Sequence, residues 1–251
     1  ASACLRRITI TGTLPFVEEL RTAPTACLEN NKMSILAPFQ RPEASLCSFS
    51  MENSYSQSAN YLFEIGIHAR TPRSGFWNLG SGTQSLAEHT YRVVHAGLAL
   101  ATLAGDVDVN KVIQMCLFHD VAEGRTSDLN YVHQQYVQSD ETQALHDIAA
   151  SVPFGERIEA LHEEYKERVS KESLIAKDAD NLELLVFLKE QKDLGNPQAE
   201  RWLMGYLDRF KTAEGRKLAE EVLETNMSDW WFKGKDVKEY WIDRKHHKKS
   251  A

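Results

Sequence analysis

The sequence predicts an all-α protein, and three observations predict it. From Ser54 onward apolar residues recur at the three- and four-residue spacing of a helix that faces a core. No run alternates apolar and polar residues as a half-buried strand would. Helix start and stop signals punctuate the chain at regular intervals. Tyr61, Leu62, Ile65 and Ile67 mark a first helix, stopped at Thr71-Pro72 because proline disfavours helical backbone in the residue before it. Arg73–Gly82 is rich in turn formers and reads as a loop carrying two aromatics, Phe76 and Trp77. Ser85-Leu-Ala-Glu88 is a capping box, opening a helix that runs to about Leu103 and ends near Gly105. A second helix is expected from Asn110 to Glu123, with Val112, Ile113, Cys116 and Leu117 inward and Gly124 as its cap. Residues 125–139 read as a polar loop with a short turn. Further helices are expected at 140–151, 155–169, 172–194, 198–210 and 213–225, with Gly195-Asn-Pro197 as a clean break. The expected organisation is an irregular N-terminal extension over residues 1–54, one helical domain over 55–226, and a flank over 227–251 ending in the charged tail Arg244–Lys249.

Composition narrows the function classes. The chain has 251 residues, 42% of them apolar, enough for a sizeable core. A net charge of −7 argues against a protein that coats nucleic acid, because backbone phosphates would meet a repulsive average surface. No run of about eighteen apolar residues exists to span a bilayer. No signal-peptide core follows Arg6 and Arg7. Cys4, Cys27, Cys47 and Cys116 form no C-x-x-C pair, which fits free thiols in a reducing cytoplasm. There is no Gly-rich phosphate loop.

Four side chains suit a borderline divalent cation. His119-Asp120 is an adjacent imidazole–carboxylate pair at the end of an apolar helix. Neighbours on a helix point about 100° apart, so both reach one ion only at a concave junction of helices. His89 lies in the first turn of its own helix, and Asp180 sits among Leu174, Ile175, Ala179, Leu182 and Val186. A carboxylate with such neighbours must be paired, hydrogen-bonded or metal-bound to be tolerated. It could instead pair with Lys177 or Arg73, and Asp178 is a rival two residues away; its apolar neighbours favour Asp180. Two imidazoles and two carboxylates suit Mn, Co, Fe, Ni, Zn or Mg and leave positions open, as a catalytic site requires. His68 and His95 read as surface or packing residues, and Trp230-Trp231 as an anchor for the C-terminal flank on the domain or a partner.

Three stretches extend this pattern: Thr71-Pro-Arg-Ser-Gly-Phe-Trp77 with Ser85-Leu-Ala-Glu-His-Thr-Tyr-Arg92, Leu117-Phe-His-Asp-Val-Ala-Glu-Gly-Arg-Thr-Ser-Asp128, and Ala176-Lys-Asp-Ala-Asp-Asn-Leu-Glu183. Together they resemble the His-Asp (HD) domain superfamily of metal-dependent phosphohydrolases, in its 5′-deoxynucleotidase-like branch, over roughly residues 58–195. The resemblance implies an HD-domain bundle with one divalent metal held between helices by His89, His119, Asp120 and Asp180. It implies Glu123 as general acid/base or water-orienting group, Arg73 as the phosphate-holding arginine and Asp128 as a residue near the sugar. Either Phe76 or Trp77 matches the family's pocket tryptophan. The implied substrate is a small-molecule nucleotide, a 5′-monophosphate, and the implied assembly a homodimer. Two alternatives stay open. His133, His146 or His162 could bind a second metal, giving a di-iron oxygenase or two-metal phosphodiesterase. The fold could also bind a nucleotide without turnover.

Overall fold

The computed structural model describes residues 51–232 and residue 234. The stretch before residue 51, with Cys4, Cys27 and Cys47, and the tail Arg244–Lys249 lie outside the described residues. Among the described residues there is no strand. The helices are α1 (Met51–Ile65), α2 (Leu86–Ala104), α3 (Val109–Phe118), α4 (Glu123–Thr126), α5 (Glu141–Ala150), α6 (Gly155–Glu167), α7 (Lys171–Asp193), α8 (Pro197–Leu203), α9 (Ala213–Glu224) and α10 (Asp229–Phe232). α1 begins at Met51, so helix already occupies the last residues expected to be extension. Short 3-10 turns follow it at Gly66–Ala69 and precede α2 at Ser74–Asn78. Among the described residues no helix is long and apolar enough to cross a membrane.

Capping chemistry sets the starts. Ser85 accepts from the Glu88 amide while the Glu88 carboxylate takes the Ser85 amide, the expected capping box, and Gly105 closes α2 in the left-handed region at φ 75°. Asp108, Asp140, Ser170, Asn196 and Thr212 cap α3, α5, α7, α8 and α9 with side-chain oxygens.

α7 is the central rod: Ile175, Ala176, Ala179, Leu182 and Leu185 are buried against Val93 and Leu100 of α2 and Val112, Met115 and Cys116 of α3. A second cluster joins Val121 to Leu145 and Ile148 of α5 and Ile158 of α6. α2 and α3 approach closely at Gly97, where a Cβ would stand 2.6 Å from Cys116 Sγ. That approach brings the helices carrying His89 and His119 side by side.

Two expected helices are broken. The 110–123 helix stops at Phe118, and 3-10-type bonds from Val121 N to Phe118 O and Glu123 N to Asp120 O carry the chain through a turn into α4. Gly124 is therefore not a cap. It lies inside α4, where any Cβ would stand 2.7 Å from His68 Nε2. His68 is buried under it, its Nε2 3.3 Å from Val121 O. The 198–210 helix is interrupted at Gly205, whose φ of 70° lies outside helical space and separates α8 from a 3-10 turn at Tyr206–Arg209. Trp230 does not anchor on the bundle: it is 86% exposed.

Candidate active site

The helix break at Phe118 decides the geometry. In a turn rather than a continuous helix, His119 and Asp120 can face the same point. His119 Nε2 lies 3.3 Å from His89 Nε2 and 3.1 Å from Asp120 Oδ2. His89 Nε2 lies 3.4 Å from Asp120 Oδ2 and 3.3 Å from Asp180 Oδ1. His89, His119 and Asp180 each offer one ligand atom, all within 4.8 Å of one another, and Asp120 closes on both imidazoles from the side.

The imidazoles are oriented from behind. His119 Nδ1 donates to Cys116 O at 2.8 Å, and His89 Nδ1 donates to Glu183 Oε2 at 2.7 Å. Each ring thereby turns an Nε2 lone pair toward the shared point, an arrangement that outer partners impose on metal-ligating histidines. Two lone pairs and two carboxylates facing one another repel unless a cation or a proton lies between them. Burial alone would lower the His89 pKa, but the carboxylates of Asp120, Asp180 and Glu183 outweigh it and hold the imidazole well above its usual range. Asp120 and Asp180 are held well below the carboxylate range against their burial, by the two imidazoles and, for Asp180, Lys177. The donor set fits a divalent cation, which the same negative potential would draw in.

Glu183 was not singled out in the sequence, though it falls one helical turn after Asp180 on α7. It is fully buried, takes Gln84 Nε2 at 2.7 Å and faces Arg92 Nε at 3.3 Å. Glu183→Gln keeps the shape but removes the charge behind His89. The expected result is a divalent-cation affinity lower by about 10–100-fold, read by titration calorimetry of the metal-free protein.

Beside the ligands stands Arg73, which the strap between α1 and α2 places. Pro72 and Ser85 form a β-bridge, and Arg73 N donates to Gln84 O at 2.9 Å. Its Nη1 reaches Asp120 Oδ2 at 3.3 Å and lies 3.8 Å from Glu123 Oε2, while Nε lies 3.4 Å from Asp128 Oδ2. Burial works against its charge, yet the surrounding carboxylates raise its pKa further. Glu123 Oε2 is buried without a hydrogen-bond partner. Burial, then Asp120 and Asp128, push the Glu123 carboxyl up to about 9. Glu123 begins α4 instead of sharing a continuous helix with His119, and still faces the same cluster. Burial likewise raises Asp128, against the opposing pull of Arg73.

A cavity of about 400 Å3 is lined by Arg73 and Asp128 together with Phe76, Leu184, Leu188, Trp202 and Tyr206. Phe76 is buried and stacks on Phe187 at 3.9 Å, whereas Trp77 is 62% exposed and meets the His133 ring edge-on. Phe76 therefore lines the cavity.

The rival and bystander residues fall elsewhere. Asp178 is fully buried but takes Lys211 N, Thr212 N and Thr212 Oγ1, pinning the start of α9. His146 is an exposed partner of Glu159, and His133 lies against Asn130. His162 is buried in α6, its pKa pushed down to about 4 by burial and then by Lys166. Among the described residues these three histidines form no second cluster of ligand atoms.

A family model for the HD domain matches residues 69–224. The chain belongs to the HD-domain family. The 5′-deoxynucleotidase HDDC2 of Danio rerio is 30% identical over 169 residues, covering 63% of this chain and 79% of that protein. Its namesake in Dictyostelium discoideum is 29% identical over 144 residues, covering 51% of this chain and 75% of that protein. Among solved structures, a conserved hypothetical protein from Pyrococcus furiosus superposes with a TM-score of 0.58 at 25% identity, over 66% of this chain and 99% of that one. The all-α HD bundle expected from the sequence is the fold of this protein, and with these relatives the chain is a metal-dependent phosphohydrolase.

Proposed function

We propose that this HD-domain protein hydrolyses deoxyribonucleoside 5′-monophosphates to nucleoside and phosphate. In this reading His89, His119, Asp120 and Asp180 hold one divalent cation, and Arg73, Glu123 and Asp128 act on the substrate. The carrying observation is the convergence of two back-bonded imidazoles and two carboxylates beside a buried arginine that also lines a cavity of about 400 Å3. A cation bound there supplies Lewis-acid polarisation and lowers the pKa of water from 15.7 towards about 7.

The chain's own groups do the rest. Arg73 can exchange carboxylates for phosphoryl oxygens, and its planar fork steadies equatorial charge as the bond to the 5′-oxygen breaks. Glu123, whose carboxyl burial pushes up to about 9, can deliver a proton to that leaving oxygen. Asp128, adjoining the cavity, faces the sugar. The aromatic and leucine walls accept a base. A single phosphate suits the site, since a second or third would face the carboxylates of Asp120 and Asp128.

Phosphate release from nucleoside mono-, di- and triphosphates, before and after EDTA and with metal restored, tests the reading. Release from monophosphates that stops on chelation supports it. Undiminished turnover by protein shown to be metal-free, or no release from any monophosphate, overturns it. Glu123→Gln is expected to lower kcat by about 10²–10⁴-fold. In the wild type a required acid makes activity fall as pH rises through its pKa, and a bound cation draws that pKa down. The alkaline limb of the kcat profile is therefore expected at or below pH about 9, and is expected to vanish in Glu123→Gln.

A further inference from the structure

Asp180 shows its two oxygens to different neighbours. Oδ1 faces the imidazoles, 3.3 Å from His89 Nε2 and 3.9 Å from His119 Nε2. Oδ2 instead accepts from Lys177 Nζ at 2.6 Å and from the Tyr165 hydroxyl at 3.4 Å. Tyr165 is buried with its ring edge-on to His119, the centroids 5.5 Å apart, which fixes its hydroxyl beside that oxygen.

An ordinary ion pair along one helix has another form. Lys189 and Asp193 are also neighbours on α7, and there the ammonium reaches both carboxylate oxygens, at 2.7 and 2.6 Å. Lys177 takes one oxygen of Asp180 and leaves the other to the ligand cluster. Its ammonium thus sits one carboxylate away from the point the ligand atoms share, and a cation bound there is repelled by it. A helix pair at this spacing adds little stability, so stability alone does not account for a lysine that opposes the cation.

We propose, building on the single-cation reading above, that Lys177 is a positioning residue that keeps Asp180 to one oxygen toward the cation and so leaves a coordination place free for water and phosphate. Carboxylates bind cations through one oxygen or through two. Without Lys177, Oδ2 keeps only the long bond from Tyr165, and the carboxylate can turn about its broad terminal torsion to offer both oxygens. The second oxygen would fill a position that a catalytic site keeps open. Two effects of opposite sign follow: loss of the lysine tightens cation binding and slows turnover. A lysine that merely supported the helix or the ligand set would, on removal, weaken both.

The test titrates the full-length protein, stripped of metal, with Co(II) in a calorimeter. Lys177→Met is expected to bind the ion about tenfold more tightly, the scale of removing one charge beside it. The visible absorption of the bound Co(II), which weakens as ligands are added around the ion, is expected to fall. In the loaded protein, kcat for a deoxyribonucleoside monophosphate is expected to fall by about 10–100-fold. Lys177→Gln is a second uncharged variant with the same expected shifts, and Lys177→Arg, which restores a charged donor, is expected to return all three readouts toward wild type. Thermal melting checks that each variant is folded; the side chain is 32% exposed, and replacement there leaves the core intact. Lys171→Met is the charge control, since Lys171 lies on the same helix but pairs with Asp106, and it is expected to change affinity by less than about twofold. Weaker or unchanged binding in the uncharged Lys177 variants, tightening equalled by Lys171→Met, an unaltered Co(II) spectrum or an undiminished kcat overturns this proposal alone. Wild-type protein that takes up no stoichiometric Co(II) sinks the single-cation reading and this proposal with it.

Discussion

Asp180→Ala is expected to abolish stoichiometric divalent-cation binding and to lower phosphate release by at least about a thousandfold, the scale of losing Lewis-acid stabilisation worth several kcal/mol. The control sits two residues away. Asp178 and Asp180 belong to the same buried helix, carry the same charge and differ only in direction. Asp180 reaches His89 Nε2 at 3.3 Å with one oxygen and Lys177 Nζ at 2.6 Å with the other. Asp178 spends both oxygens on the backbone and hydroxyl that open α9. Asp178→Ala is therefore expected to leave metal stoichiometry at one and to cost stability instead, about 1–3 kcal/mol from buried donors left unsatisfied. Metal analysis of the purified variants beside denaturant unfolding separates the two effects. Equal metal content in both variants would mean that the carboxylate cluster is a structural ion-pair network and not a ligand set.

Much of this arrangement is legible from residue type and spacing. The apolar run around Asp180, the capping box before His89 and the His119-Asp120 pair all follow from local patterns, because burial periodicity and capping are properties of consecutive residues. What escaped the sequence depends on contacts between distant segments. Gly124 looks like a cap, but its lack of a side chain makes room for His68, more than fifty residues earlier. The helix end at Phe118 carries no proline or glycine to announce it. Glu183 was one acid among several on α7, and only its distance to His89 Nδ1 distinguishes it. Tyr206 lies within what reads as one continuous helix, although Gly205 already marks the left-handed break that turns it toward the cavity. Phe76 and Trp77 are adjacent aromatics of similar chemistry; the 3-10 turn decides which one is buried.

Arg73→Ala is expected to show two effects of separate origin. Catalytically, the phosphate loses the guanidinium that stands beside the metal-ligand cluster, and kcat/KM for a mononucleotide should fall by about 10²–10³-fold, as when a preorganised donor to developing charge is removed. Arg73→Lys should recover little, because a point charge cannot bridge Asp120 and Asp128 while offering a second arm to phosphate. Structurally, the guanidinium is the counter-charge for Asp120, Glu123 and Asp128, and its loss leaves three half-buried acids facing one another. The folded pKa of Asp128 then rises beyond its present upward shift, while Asp120 is still held down by the two imidazoles. A carboxyl with a raised folded pKa binds more protons in the native than in the unfolded state, so stability falls as pH rises. Relative to wild type the added penalty is absent below the folded pKa that Asp128 has with Arg73 in place and builds until its folded pKa without the arginine is passed; Glu123, protonated in both proteins up to pH about 9, adds nothing below that. For the metal-free variant this predicts a melting temperature close to wild type near pH 4.5 and progressively lower toward pH 8. Saturating divalent cation should restore part of the gap, since it replaces positive charge in the same cluster. A gap that stays constant with pH would assign the loss to packing of the arginine stem, and the charge argument for Arg73 would fail.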